Sequence, residues 1–361
     1  MVRADRQIFA KGRGAGSNPA GRFESNRIEA ADDGWGSLAE FSGEVTTRFS
    51  ADRPRRAISR NQSPDVPFEY SVNPYQGCEH GCIYCFARPS HAYWNLGAGI
   101  DFETRIFHKP ALAELLIKEI TAPGYVCKPI NLGANTDPYQ PAERTFRTTR
   151  GLLRVLLDYR HPVTLVTKGV LIRRDLDLLR ALAEENLVSV MVSLTTLDNR
   201  LKRLMEPRAA SAAARLEIIE ALAGAGVPVG VLLAPLIPAL NDSELEKLLQ
   251  SAAEAGARNA GYLLLRLPGE TATLFEQWLR RHYPDRAAKV LNILSEMRGG
   301  RLNDPRFGHR MRGRGPYATL LKARFEQARK RHGLGTGVGT ALDRGSFNRR
   351  SGIARQQDLF S

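Results

Sequence analysis

Three cysteines within eight residues are the part of this sequence best suited to chemistry. Cys78, Cys82 and Cys85 have the spacing Cys-x₃-Cys-x₂-Cys, on a loop interrupted by Gly77 and Gly81. Four cysteines in 361 residues are too few for a disulfide scaffold, so the crowding of three of them favours metal ligation. A cubane iron–sulfur cluster takes four ligands, and three thiolates therefore leave one iron open to an exogenous ligand.

Two other ligand sets are open for this loop. His80 or His91 could complete a tetrahedral zinc site with three thiolates. Zinc sites usually pair Cys-x₂-Cys knuckles from separate segments, however, and here the three cysteines share one loop. Cys127, the remaining cysteine, could supply a fourth thiolate to an iron–sulfur cluster.

Six predicted strands must position these residues. From Phe68 onward, short apolar runs alternate with amphipathic stretches of helical length, which is typical of βα units around a parallel sheet. The predicted strands are Phe68–Val72, Ile130–Gly133, Val163–Thr167, Val188–Ser193, Val229–Leu233 and Gly261–Leu265. We therefore predict an α/β fold, a partial (β/α)6 barrel, with its site at the carboxyl ends of the strands. Cys127 precedes the second strand, at the opposite end, and is predicted to be a buried structural thiol.

Two extensions flank this predicted core at residues 68–298. Residues 1–67 lack hydrophobic periodicity and are predicted to be mostly disordered. Residues 299–361 are predicted to be a disordered basic tail, since fifteen Arg or Lys and four Asp or Glu lie between Arg298 and the end of the sequence. Such a segment either binds phosphate backbones or stays solvated, and charge alone does not separate these interpretations.

The cysteine loop resembles the signature of the radical S-adenosylmethionine (SAM) superfamily, which has an aromatic residue, here Tyr84, directly before the last cysteine. Within that superfamily, the chain is similar to predicted DNA-repair photolyases related to spore photoproduct lyase. The similarity is carried by Asn73-Pro-Tyr-Gln-Gly-Cys78, Glu206-Pro-Arg208, Ala234-Pro-Leu-Ile-Pro238 and Arg266-Leu-Pro268. The resemblance implies a [4Fe–4S] cluster on the three cysteines, SAM on the open iron and a 5′-deoxyadenosyl radical that abstracts hydrogen. It also implies an electron donor such as flavodoxin or ferredoxin.

Polar residues follow the predicted strands and form the candidate SAM site. Asp137 follows the second strand, Lys168 the third, and Ser193 ends the fourth, so all three can face one cavity. An ammonium prefers a carboxylate, which suits Asp137 to the amino group of SAM and Lys168 to its carboxylate. The alternative is a turn residue at Asp137 and a solvated lysine at position 168. The resemblance adds hydrogen bonds from Thr136 and Ser193, and contact of the Tyr84 backbone with adenine.

Four further residues are candidates for a substrate pocket because aromatic rings and guanidinium groups stack on bases. These are Tyr93, Trp94, Tyr139 and Arg208. Simple packing is the alternative for each aromatic ring. The lyase family has a hydrogen-donating cysteine just after the second strand, and residues 133–137 contain none. Reversal of a thymine dimer by the same route is therefore not expected.

The sequence thus predicts a cytoplasmic radical SAM enzyme that acts on nucleic acid. Radical modification of RNA or protein, and a zinc-stabilised nucleic-acid binding module, are the two alternatives. The start of the sequence leads into no apolar signal segment. The uncharged run Ala221–Asn241 contains Pro228, Pro235 and Pro238, so we expect a helix end and a buried strand rather than a membrane span.

The last six residues form a separate candidate motif. Gln356, Asp358, Leu359 and Phe360 resemble the peptide by which bacterial polymerases and repair proteins bind the replicative sliding clamp, while Gln357 departs from the usual leucine. An exposed Leu-Phe pair on a polar tail is typical of a short docking motif. A frayed end, or a cap that packs back on the barrel, is the alternative.

Overall fold

The structure is a computed structural model that describes residues 12–19, 45–336 and 341–349. The strands of these residues are β1 Arg48–Ala51, β2 Ser59–Arg60, β3 Tyr70–Val72, β4 Tyr75–Gln76, β5 Arg105–His108, β6 Ile130–Leu132, β7 Val163–Thr167, β8 Val188–Ser193, β9 Val229–Leu236, β10 Asn259–Leu264 and β11 Gly335–Thr336. The α-helices are α1 Ile100–Thr104, α2 Leu112–Ile120, α3 Glu143–Phe146, α4 Thr148–Asp158, α5 Leu176–Glu184, α6 Asn199–Met205, α7 Ala212–Gly224, α8 Leu245–Glu254, α9 Thr271–His282, α10 Pro284–Glu296 and α11 Gly315–Arg331. Short 3₁₀ helices span Arg88–Trp94, Val170–Asp175 and Asp242–Glu244.

The main sheet has the strand order β11-β10-β9-β8-β7-β6-β3-β2. Its strands run parallel except β2, which pairs antiparallel with β3. Helices connect successive parallel strands, so the carboxyl ends of the six central strands meet at one edge. The predicted partial (β/α)6 barrel is confirmed, and each predicted strand overlaps an observed one.

Burial of both strand faces explains why the six predicted strands read as nearly continuous apolar runs. Every residue of β8 is buried, as expected for a strand that helices cover on one face and the barrel interior on the other. The helices place their apolar stripe on the sheet, as in α4, where Leu152, Leu153 and Leu156 are buried. Ser211 caps α7 because its hydroxyl accepts the Ala214 N–H.

Parts of both extensions are ordered, which corrects the prediction of disorder for those parts. Gly14 and Ala15 are buried, and β1 joins β5 and β4 in a second, three-stranded sheet. In the basic tail, α11 packs on the barrel, where the ring of Phe325 lies 4.6 Å from that of Tyr262 on β10. Residues 356–360, the candidate clamp motif, lie outside the described residues.

Among the described residues, no helix is both long and apolar enough to cross a membrane. The run Ala221–Asn241 instead forms the end of α7, a turn and β9, as its prolines and glycines predicted.

Candidate active site

The cysteine loop lies between β3 and the 3₁₀ helix Arg88–Trp94. Cys78 and Cys82 are buried and Cys85 is half-buried. Gly77 and Gly81 both have positive φ, +80° and +68°, which favours glycine. A Cβ at Gly81 would lie only 2.8 Å from Glu103 Oε2. The two glycines therefore fix the turns of the loop that carries the three thiols.

The pKa values of the thiols depend on one another and on charged groups from other elements. Burial raises the pKa of Cys78 well above its usual value, and the carboxylate of Asp137 and the other two thiols raise it further. Burial and the Glu206 carboxylate raise the pKa of Cys82 to about 12. The positive charge of Lys168 has the opposite effect and lowers the pKa of Cys82. A site with these neighbours holds thiolates best when a bound cation compensates their charge.

A buried ion pair supports the loop from within the protein. Arg88 and Glu103 are fully buried and lie 2.5 Å apart. Arg88 Nε also donates a hydrogen bond to the Cys82 carbonyl at 2.9 Å. Glu103 accepts the backbone N–H groups of Gly14 and Ala15 at 2.9 and 2.8 Å. The N-terminal segment 12–19 is thereby docked on the cysteine loop, which the sequence did not predict.

Gln140 and Thr136 hold the start of the same loop. Both donate to the Gly77 carbonyl, Gln140 Nε2 at 3.0 Å and the Thr136 hydroxyl at 2.7 Å. Gln140 Oε1 accepts the Glu79 N–H at 3.0 Å. The Thr136 hydroxyl, predicted to bind SAM, is thus engaged with the loop backbone. Gln140 was not among the predicted residues, although it comes three residues after Asp137.

Asp137 connects three elements at the carboxyl edge of the sheet. Its carboxylate accepts the Thr167 hydroxyl at 2.6 Å, the Lys168 N–H at 2.8 Å and the Tyr139 N–H at 2.9 Å. His80 Nδ1 lies 3.3 Å away. Burial alone would raise the pKa of Asp137, but His80, the Thr167 hydroxyl and the charge of Lys168 hold it well below its usual value. An ionised carboxylate has about four acceptor positions, so protein groups already use most of them here.

Lys168 lies in a buried network of charged groups with Glu206 and Arg215. Burial would lower the pKa of Lys168, but Cys82 and Glu206 raise it above its ordinary value. Glu206 and Arg215 form an ion pair and are at most 1% exposed. The Tyr84 hydroxyl donates to Glu206, and an Arg215 nitrogen donates to the Ser193 carbonyl at 3.0 Å. The network thus links the cysteine loop to the ends of β7 and β8.

The ends of β8 and β9 form the other side of the site. The Ser193 hydroxyl donates to the Ala234 carbonyl at 3.2 Å. Asn241 fixes the turn after β9, because its Nδ2 donates to the carbonyls of Thr195 and Pro235. The buried Thr195 hydroxyl has no hydrogen-bond partner among the described residues. An unused polar atom at this edge is what a site for a polar ligand provides.

The four substrate candidates differ in exposure and in their contacts. Tyr93 is 77% exposed, whereas Tyr139 is 1% exposed and its ring packs in the core, as the packing alternative expects. Trp94 stacks on Phe107, with 4.3 Å between ring centroids. Arg208 pairs with Glu79 at 3.3 Å, beside the cysteine loop.

The remaining candidate ligands are engaged elsewhere. His91 Nε2 donates to the Arg105 carbonyl at 3.0 Å, and His80 lies against Asp137. The charges that affect Cys127 are those of Arg344 and Asp343, and its thiol is half-buried rather than buried as predicted. Within the described residues, no three His, Cys, Asp or Glu side chains converge as they would around a single metal ion. A cubane differs because each thiolate binds a different iron, and the three thiols of one loop fit that donor set.

Comparisons with known proteins identify the family of the region that contains the cysteine loop. The family model described as the Radical SAM superfamily matches residues 72–252. An uncharacterized protein of Mycobacterium tuberculosis is 39% identical over 230 residues, which are 63% of this chain and 68% of that protein. An uncharacterized protein of Methanocaldococcus jannaschii is 26% identical over 192 residues, 53% of this chain and 69% of that protein.

Solved structures share the fold. A mutant of spore photoproduct lyase with bound AdoMet and dinucleoside spore photoproduct has a TM-score of 0.59 and 16% sequence identity. The match covers 80% of this chain and 81% of that chain. A further structure of this lyase, complexed with dinucleoside spore photoproduct, gives the same TM-score, identity and coverage.

Proposed function

Because the chain belongs to the radical SAM superfamily, whose enzymes use a [4Fe–4S] cluster and SAM, we propose that Cys78, Cys82 and Cys85 hold the cluster and that the substrate is a nucleic acid. The main support is that one loop brings three thiols together at the carboxyl edge of the sheet, next to Lys168. The cluster and SAM, once bound and reduced by an electron donor such as flavodoxin or ferredoxin, supply a 5′-deoxyadenosyl radical that abstracts hydrogen.

The chain's own residues bind and orient in this proposal. Lys168 pairs with the carboxylate of SAM, because its ammonium is kept charged by Cys82 and Glu206. Asp137 acts mainly through the loops that it joins, and any contact with the SAM amino group uses an acceptor position left over by its present partners. Thr136 and Gln140 hold the Gly77 carbonyl and so the turn before Cys78.

Two observations favour a nucleic acid over other substrates. The fold is shared with a lyase whose structure contains a dinucleoside photoproduct, and the basic segment after Arg298 supplies charge of the sign that binds phosphate. Residues 133–137 contain no cysteine, so we do not propose that this enzyme reverses a lesion by hydrogen return from a thiol at that position. Modification of RNA fits the same observations and is separated from a DNA reaction by the substrate test.

The test uses anaerobic protein reconstituted with iron and sulfide. The purified enzyme, SAM and a reductant are incubated with deuterium-labelled DNA, RNA or protein, and 5′-deoxyadenosine is analysed for deuterium. We expect transfer from a nucleic acid. Transfer only from protein would contradict the proposed substrate, and a reconstituted protein that forms no 5′-deoxyadenosine would contradict the proposed reaction. A zinc module would bind zinc without acid-labile sulfide.

A further inference from the structure

Two exposed phenylalanines each have an arginine over the ring. Phe86 directly follows Cys85 and is 47% exposed, and Arg266 Cζ lies 5.7 Å from its ring centroid. Phe307 is 55% exposed, and Arg310 Cζ lies 4.6 Å from its centroid. We call these four residues the aromatic–arginine platform.

Contacts from neighbouring segments hold the Phe86 side of the platform against the cysteine loop. The Thr271 hydroxyl, at the start of α9, donates to the Cys85 carbonyl at 3.4 Å. A Cβ on Gly269 would be in ordinary contact with Pro89, at 3.6 Å. The segment from Arg266 to Thr271 therefore follows the end of β10 and lies along the residues after Cys85. Its position fixes Arg266 over the ring of Phe86.

The Phe307 side is anchored to the same strand end. The Leu264 N–H donates to the Met311 carbonyl at 3.0 Å. Arg298 is buried and donates to the Arg310 carbonyl at 3.1 Å and to the Leu265 carbonyl. Asp65 accepts the Gly308 N–H at 2.7 Å. The first part of the basic tail is thus held at the end of β10.

Positive charge accumulates across the platform. Burial, together with the charges of Arg310 and Arg298, lowers the pKa of Arg266 to about 10, while Asp65 acts in the opposite direction. Arg266 Nε is buried and has no hydrogen-bond partner among the described residues. Residues 301–314 contain five arginines and one acidic residue. Arg310 pairs with Asp65 and Arg306 with Asp304, so the remaining positive charge, above all that of Arg266, is what a bound anion would compensate.

From this arrangement we propose that the aromatic–arginine platform binds a single-stranded or locally unpaired segment of nucleic acid, with bases stacked on Phe86 and Phe307 and phosphates paired with the arginines. Aromatic rings next to cationic groups are the combination that single strands require, because every base has a face to stack and every phosphate a charge to neutralise. An acidic peptide would satisfy the arginines but leave the rings unused. The inference rests on the proposed function and specifies where its substrate docks.

The test is a titration of reconstituted protein with a fluorescein-labelled oligothymidine of about 12 nucleotides, a length that covers typical single-strand sites. We expect Phe86→Ala and Phe307→Ala each to weaken binding by about 5-fold or more, because base stacking on one ring contributes that much. Phe86→Tyr keeps a ring and should bind as the wild-type protein does. Phe49→Ala is the matched control, since Phe49 is similarly exposed (43%) but packs against Phe146.

Each result has a defined meaning. Iron and sulfide content and thermal unfolding of every variant show whether a weakened variant has kept its cluster and its fold. Equal binding by wild type, Phe86→Ala and Phe307→Ala would overturn the platform, as would equal affinity for a polyglutamate peptide or for a duplex of the same length. Wild-type protein that binds the oligomer through these rings but transfers no deuterium from any nucleic acid would sink the proposed substrate and leave the platform standing. Deuterium transfer from a nucleic acid that is equal in the wild type and in both alanine variants would contradict the platform and leave the proposed substrate standing.

Discussion

The two ends of strand β7 (Val163–Thr167) carry groups that can both be cationic, and the protein treats them in opposite ways. His161, before the strand, is buried, and burial lowers its pKa to about 4. Lys168, after the strand, is also penalised by burial, yet Cys82 and Glu206 raise its pKa above the ordinary value. At neutral pH the amino end of the strand is therefore uncharged and the carboxyl end is charged.

The neighbours explain the difference, because burial acts in the same direction at both ends. His161 donates from Nδ1 to the Pro162 carbonyl and accepts from the Tyr125 hydroxyl at 2.7 Å, and Phe347 packs on its ring. At the other end, the ion pair of Glu206 and Arg215 is fully buried. Buried ion pairs seldom add net stability. The unfavourable burial of charged groups therefore occurs at the carboxyl edge of the sheet, which carries the site.

The largest expected effect comes from the cysteines, which lie at both edges of the sheet. We expect Cys78→Ala, Cys82→Ala and Cys85→Ala each to lose the [4Fe–4S] cluster and to abolish SAM cleavage. Each thiolate ligates one of three irons, and the fourth iron is the one left for SAM. Cys127→Ala is the control from the amino end and should keep both. Iron, sulfide and 5′-deoxyadenosine are measured on anaerobic protein. Full activity in any of the three loop variants would refute the ligand assignment.

The buried ion pair should give the next largest effect. Glu206→Gln leaves the Arg215 charge without its partner, and we expect the free energy of unfolding to fall by about 3–5 kcal/mol. Glu276→Gln breaks an exposed pair with Arg280 and should cost at most about 1 kcal/mol. Urea unfolding of metal-free protein measures both. Similar losses of unfolding free energy in the two variants would show that the buried ion pair contributes no more to stability than the exposed one.

Sequence reasoning located the strands and the cysteine loop because both depend on local patterns. Apolar runs of strand length and a fixed cysteine spacing are visible without knowledge of the fold, and strand ends then placed Lys168 near Cys82. The helix α6, the small sheet and the ordered part of the basic tail were missed. In α11 the decisive contacts are with distant residues, as between Arg324 and Glu246, and such partners leave no periodic signal in the sequence.

The site also contains residues that only the fold identifies. Gln140 holds the Gly77 carbonyl from across the sheet edge, and Arg88 and Glu103 meet inside the loop. Nothing in the spacing of these residues separates them from ordinary surface polar residues. For Tyr139 the sequence left substrate contact and packing both open, because an aromatic residue near a loop has no sequence feature that distinguishes the two.

Variants of two residues at the carboxyl edge should distinguish binding of SAM from stabilisation of the fold. We expect Lys168→Ala to weaken SAM binding by about 10-fold or more with iron content unchanged, since a charge-assisted pair is lost. Asp137→Ala should also weaken SAM binding with iron content unchanged, and in addition lower the free energy of unfolding by about 1–3 kcal/mol, because it leaves buried donors without an acceptor. SAM titration and urea unfolding are compared for both. Unchanged SAM affinity in both variants would refute the placement of SAM.

The effect expected at the amino end is a change in the pH dependence of stability, which is absent at neutral pH. The pKa of His161 is about 4 in the folded protein against an ordinary 6.5, so between these values the unfolded chain binds a proton that the folded chain does not. Stability should therefore fall as the pH falls from 6.5 to 4, by up to about 3 kcal/mol from this residue. His161→Gln does not titrate but keeps one donor for Pro162 and one acceptor for Tyr125, so its unfolding free energy should decline less over this range. His91, whose pKa burial also lowers to about 4, is present in both proteins and cancels in the difference. Between pH 7 and 9 the difference between the two proteins should be constant, which serves as the internal control for urea unfolding of the metal-free forms. A difference that is equally constant from pH 7 to 4 would mean that His161 takes up its proton as readily in the folded barrel as in the unfolded chain, and the contrast between the two ends of β7 would then not exist.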